Sequence, residues 1–88
     1  MMEIKIGHIT HFYNRISVAV LELTDKLEIG DEILILGHTT EFSQKISSME
    51  INHKKVFSVG PGDEVAIKVK KPVRKGDEIY RIIEETES

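Results

Sequence analysis

Along this chain apolar residues alternate with polar ones over short stretches, and no stretch sustains the 3.6-residue period of a helix. Ile4, Ile6 and His8 alternate with Glu3, Lys5 and Gly7. The run continues to His11-Phe12-Tyr13, and Asn14-Arg15 then predicts a turn. Ile16 to Leu23 is short and β-branched, a second strand broken by Thr24-Asp25-Lys26. Glu32 to Leu36, closed by Gly37, is a third. Both of its faces are apolar, Ile33 and Ile35 against Leu34 and Leu36. One pair is expected in a core, and the other needs cover from a loop, a terminus or a partner.

Between Glu41 and His53 the parity of the apolar positions switches. Phe42, Gln44 and Ile46 share one face of an extended chain, whereas Met49 and Ile51 share the other. One extra residue at Ser47-Ser48 restores the register, so a β-bulge is predicted there, with Phe42, Ile46, Met49 and Ile51 all facing inward. Glu64 to Lys70 follows with Val65, Ile67 and Val69 inward, and Glu78 to Ile83 is the last strand. The charged tail at 84–88 is expected to fray. Six strands in one domain spanning 1–88 predict an all-β fold, a six-stranded antiparallel closed barrel whose closure removes unprotected edges.

One motif recurs three times: Gly30-Asp31-Glu32-Ile33, Gly62-Asp63-Glu64-Val65 and Gly76-Asp77-Glu78-Ile79. Paired carboxylates can serve acid–base or metal chemistry, but a catalytic pair is needed once, whereas turns recur. Glycine supplies a positive φ, Asp accepts neighbouring amides, and the β-branched residue opens a strand, so these are read as turns.

Composition narrows the chemistry. The chain has 40% hydrophobic and 31% charged residues, within the range of globular proteins. Having no cysteine, it can build no disulfide, thiolate nucleophile or Cys-based zinc site. Its apolar runs are too short for a membrane span, and the opening Met1-Met2-Glu3-Ile4-Lys5 does not read as a signal peptide, so a cytoplasmic protein is expected. Phosphate-binding and serine-hydrolase motifs are absent. His8 and His11, three apart on a regular strand, would point to opposite faces and chelate poorly. Neither a metal nor a cofactor is expected. The net charge of −3 hides an asymmetry: residues 44 to 75 hold eight basic and three acidic side chains.

The segment from Gly37 to Ile51, with Gly62-Asp63-Glu64-Val65-Ala66-Ile67-Lys68-Val69 downstream, resembles the second domain of translational GTPases of the elongation factor Tu type. It is similar also to small standalone elongation factor-like proteins and to the C-terminal barrel of collagenase-like peptidases. The resemblance implies a binding module, not an enzyme. With no preceding GTPase domain, no GTP is expected to bind.

Carried onto this chain, the resemblance places a candidate surface at the His38-Thr39-Thr40 turn and along the strand through Lys45. The basic turns His53-Lys54-Lys55 and Lys70, Lys71, Arg74 and Lys75 flank it. The expected partner is RNA, tRNA or ribosomal RNA, held through phosphates. The alternative is a protein-interaction subunit docking onto a GTPase or peptidase-like partner through the apolar outer face of the third strand.

Overall fold

The computed structural model describes residues 2–84 and is all-β, as the alternation predicted. Ten strands form: β1 (Met2–Tyr13), β2 (Val18–Leu23), β3 (Leu27–Glu28), β4 (Glu32–Leu36), β5 (Glu41–Lys45), β6 (Met49–Ile51), β7 (Lys54–Val56), β8 (Ser58–Val59), β9 (Glu64–Lys68) and β10 (Glu78–Ile83). Eight of them pair antiparallel in the order β5-β4-β10-β1-β2-β9-β6-β7, and β3 and β8 form a separate ribbon. The expected fraying tail lies, beyond Glu84, outside the described residues.

Two expectations need correction. The sheet does not close into a six-stranded barrel: it is an open, eight-stranded sheet with β5 at one edge and β7 at the other. The parity switch at Ser47-Ser48 is real but is not a bulge within one strand. Pairing stops at Lys45 and resumes at Met49, and the chain crosses there from the β5 edge to β6, near the opposite edge in sheet order. The inward residues survive the corner. Ile46 and Met49 are buried, and Phe42 and Ile51 pack half-buried against the core.

What joins the two halves across this opening is a side chain. Gln44 is 6% exposed, and its amide makes two hydrogen bonds, one to the end of β9 and one to the stretch after it. Nε2 donates to the Lys68 carbonyl at 2.7 Å, and Oε1 accepts from the Lys70 amide at 2.8 Å. A buried glutamine pays its desolvation only when both ends are bonded, and here both are.

The recurrent Gly-Asp motifs are turns. Gly30, Gly62 and Gly76 have φ of 93°, 87° and 93°, as the third position of a type II turn requires. Each following Asp returns a carboxylate oxygen to the first residue of its turn: Asp31 to the Glu28 amide, Asp63 to Gly60 and Asp77 to Arg74, at 2.8–2.9 Å. The turns also clasp distant strands. Gly30, Gly62 and Gly76 donate to the carbonyls of Ile46, Leu23 and Ile9, whose amides donate to Asp31, Asp63 and Asp77. Ile9 and Leu23 thereby hold their places in a core shared with Ile6, Leu21, Ile33, Ile35, Val65 and Ile79.

β1 carries two register shifts, at Lys5/Gly7 against β10 and at Ile9/His11 against β2. They let Ile6 and Ile9, of opposite parity, both be fully buried. Thr10 is the extra residue of the second shift, and its hydroxyl donates to the Val20 carbonyl at 3.2 Å. The same shift corrects the reading of the histidines. His8 pairs with Glu22 and His11 with Val20, so both lie on the outer face of the sheet, beside β2. Among the described residues no group of His, Asp or Glu is placed to hold a metal ion.

On the outer face of β4, Leu34 lies across from Tyr80 and Leu36 across from Glu78, and both leucines are half-buried. The Tyr80 hydroxyl donates to Glu78 Oε2 at 2.7 Å, and Lys5 Nζ lies 3.4 Å from the same oxygen. The tyrosine hydrogen bond first, then Lys5, hold the Glu78 carboxyl below its ordinary range. The same bond raises the Tyr80 phenol. A depressed carboxyl contributes stability at neutral pH that is lost as pH falls through its folded value.

Two outcomes follow. Gln44→Leu strands the Lys68 carbonyl and the Lys70 amide and is expected to cost about 2 kcal/mol in urea unfolding. The Lys70 amide should also exchange hydrogen faster, and an unchanged midpoint would reject the bridging role. Tyr80→Phe is expected to move the Glu78 midpoint upward in a carboxyl-carbon NMR titration. An unmoved midpoint would mean that Lys5 alone sets it.

Candidate functional site

The bond between Gln44 and the backbone of Lys68 and Lys70 does more than bridge an opening. It lays the irregular segment after β9 alongside β5, and the basic residues of the two stretches come to share one flank. Gln44, Lys45, Ser47, Lys68 and Lys70 line a shallow depression at one end. Thr39, Phe42, Lys71 and Arg74 line the next, and His38 and Lys75 a third, beside Tyr80.

Several local features place these side chains. Val69 and Val73 are buried and anchor the segment, so that Lys68, Lys70, Lys71 and Arg74 project outward between and beside them. The Asp77 carboxylate fixes the Arg74 amide and packs against Gly37, where any Cβ would collide with it. Glycine is therefore required at position 37 for a close approach that seats the β4–β5 hairpin on the basic turn. Lys71 Nζ lies 6.0 Å from the centre of the Phe42 ring, a cation–π contact that steers one ammonium along the flank.

Of the residues singled out from sequence, the fold brings together His38, Thr39, Lys45, Lys70, Lys71, Arg74 and Lys75. Thr40 neighbours them, but it is only 6% exposed and its carbonyl accepts from the Gly37 amide, so it is part of the hairpin. His53, Lys54 and Lys55 do not join the flank. They form the tip of the β6–β7 hairpin and the start of the β7 edge strand, where lysines discourage pairing with another chain. Lys68 was missed as a site residue. Its outward parity beside Val65, Ile67 and Val69 was the available signal.

Electrostatically the flank is one-sided. Lys45, Lys68, Lys70, Lys71, Arg74 and Lys75 face two acidic residues among the linings, Glu41 and the Glu78 already bonded to Tyr80 and Lys5, since Asp77 is buried in its turn. The ion pairs found among the described residues, Lys5–Glu78 and Arg81–Asp25, use none of these cations. Aromatic platforms for stacking are sparse there: Phe42 is half-buried beneath Lys71, whereas Phe57, 79% exposed, sits after β7.

No protein-family model matches the chain. It is 44% identical over 83 residues to an uncharacterized protease of Methanocaldococcus jannaschii, covering 93% of this chain and 20% of that protein. It is 35% identical over 81 residues to a collagenase of Porphyromonas gingivalis, covering 90% and 20%. The chain thus spans about a fifth of the length of the curated relatives it matches. Among solved structures, it superposes on the C-terminal domain of a Geobacillus thermoleovorans protein assigned to the U32 peptidases. The TM-score is 0.84 at 18% identity, with 89% of this chain and 91% of that chain covered. The selenomethionine form of that domain gives 0.81 at 19% identity, covering 85% and 95%.

These findings overturn the RNA-contacting, translation-factor reading, because the relatives are named protease and collagenase. The physical reason lies in the motifs that carried it. The Gly-Asp turns and alternating strands describe how an antiparallel sheet is tied together, so they report architecture and not what the surface binds. The chain is homologous to one segment of these protease- and collagenase-named proteins, and it shares its fold with the C-terminal domain of a protein assigned to the U32 peptidases.

Proposed function

We propose that this chain is a non-catalytic accessory module that docks onto a peptidase-like unit through its basic flank. The observation that carries the reading is the extent of the match: nearly the whole chain aligns with one fifth of a protease, at 44% identity. A segment of that size beside a much larger remainder is suited to hold, orient or cover the remainder. The flank of Lys45, Lys68, Lys70, Lys71, Arg74 and Lys75, without ion pairs among the described residues, suits an acidic face on the partner. Because these are exposed charges, they speed and orient docking more than they tighten it.

The test uses the Methanocaldococcus jannaschii protease with its matching segment removed. This chain is expected to bind that remainder in calorimetry, and the affinity should fall as salt is raised through the physiological range. Changing Lys70, Lys71, Arg74 and Lys75 to Glu should weaken binding about tenfold or more while the chain stays folded. Absence of binding at low salt, or equal binding by the charge-reversed variant, would remove the reading.

A further inference from the structure

A second surface, adjoining the basic flank at Lys68, lies over β2, β9 and the β6–β7 hairpin. It is a groove of about 580 Å³ on the outer face of the sheet. Its floor is aliphatic: Val18 and Val20 of β2 and Ala66 of β9, with Val20 and Ala66 directly opposite each other. The small Ala66 side chain leaves the floor low at its centre. One wall is Tyr13 and Ile16, 53% and 61% exposed, which is more apolar surface than a single outward valine would leave. The other wall is polar and acidic, made by Glu50, His53 and Glu64.

Two features shape this groove. The first is turn geometry. Among the described residues, three that are not glycine adopt positive φ: Ser17 at 55°, Asn52 at 51° and His53 at 65°. All three flank this one groove. Ser17 sits between Ile16 and Val18 and holds Ile16 at the apex of its turn, while Asn52 and His53 form the two-residue turn of the opposite wall. Positive φ at both central residues is the geometry a two-residue hairpin turn needs, and these turns fix the positions of the two walls.

The second feature is charge. Glu64 stands directly across from Glu22, and Glu50 is across from Ala66 on the next strand. Like charges directly opposite in a sheet are unfavourable, and none of the three carboxylates takes part in an ion pair among the described residues. His8 is opposite Glu22, and Lys55 is opposite Glu50. A cation arriving from a partner would relieve the Glu22–Glu64 repulsion.

We infer that this groove binds an extended segment of a protein partner in which a Lys or Arg lies beside an aliphatic side chain. The aliphatic group rests on Val20 and Ala66 between Tyr13 and Ile16, and the cation reaches Glu50 and Glu64. This site goes beyond peptidase docking and does not depend on it: the two surfaces meet where Lys68 lies opposite Val18, but the flank continues along β5 and the turn to Lys75, and the groove over Val20, Ala66 and the β6–β7 hairpin.

The experiment is a titration of the isotope-labelled chain, followed by amide NMR, with three synthetic hexapeptides. The first is acetyl-Gly-Leu-Lys-Val-Arg-Gly-amide. The second has Glu in place of Lys and Arg, and the third has Ser in place of Leu and Val. The first peptide is expected to shift the amides of Val18, Val20, Ala66 and His53, and the other two to leave them in place. The double variant Glu50→Gln, Glu64→Gln keeps the side-chain shape at half-buried and exposed positions. It is expected to bind the first peptide about fivefold more weakly, in line with two exposed ion pairs. No shifts at millimolar peptide, shifts confined to another face, equal binding of the acidic peptide, or an unchanged affinity of the double variant would each overturn the inference.

Discussion

The reciprocal clasp between a Gly-Asp turn and a buried residue on a distant strand is the interaction on which this structure rests. Each of the three turns spends its glycine amide and its aspartate carbonyl on one partner, Ile46, Leu23 or Ile9, and its aspartate carboxylate on itself. The partner's amide and carbonyl, which sit at interruptions of the main ladder, are satisfied without water. In a chain of 88 residues with a modest core, satisfying buried backbone groups at strand ends matters as much as burying methyl groups.

From these clasps follows the open form of the sheet. They tie strand ends to turns, so the sheet can stop pairing at Lys45 and resume at Met49 without leaving the corner loose. The remaining opening is spanned by the Gln44 amide, one donor and one acceptor where a backbone ladder would have provided several. Because the segment beyond β9 is held to β5 by a side chain, it is irregular, and its outward residues need not alternate. That is how Lys68, Lys70, Lys71, Arg74 and Lys75 come to line one flank with Lys45.

The two surfaces of the molecule therefore differ in origin. The basic flank belongs to the seam and to the loop after β9, whereas the groove belongs to the regular part of the sheet, where Val20 and Ala66 sit in register. They also differ in sign, one cationic and one rimmed by carboxylates. The chain matches a fifth of the length of proteins named protease and collagenase, and it shares its fold with the C-terminal domain of a protein assigned to the U32 peptidases. The same architecture had resembled translation-factor domains in sequence, since the turns that tie such sheets are shared by folds with unrelated partners.

The sequence by itself determined the all-β class, the three turns and most of the core, whereas the short strands β3, β7 and β8 were not legible in it. Alternation of Val65, Ile67 and Val69, and the need of a tight turn for glycine, are local rules that act within a few neighbouring residues. It also located the corner at Ser47-Ser48, because a parity switch is visible in the residues themselves. Only the tertiary structure decided whether the corner was a bulge or a crossing, since that depends on which distant strand accepts Met49. It alone turned His8 and His11 to one face, through an extra residue whose position no pattern marks. And it separated His53, Lys54 and Lys55 from the other cations, because charges near in sequence are sorted by strand pairing, which is long-range and set by burial.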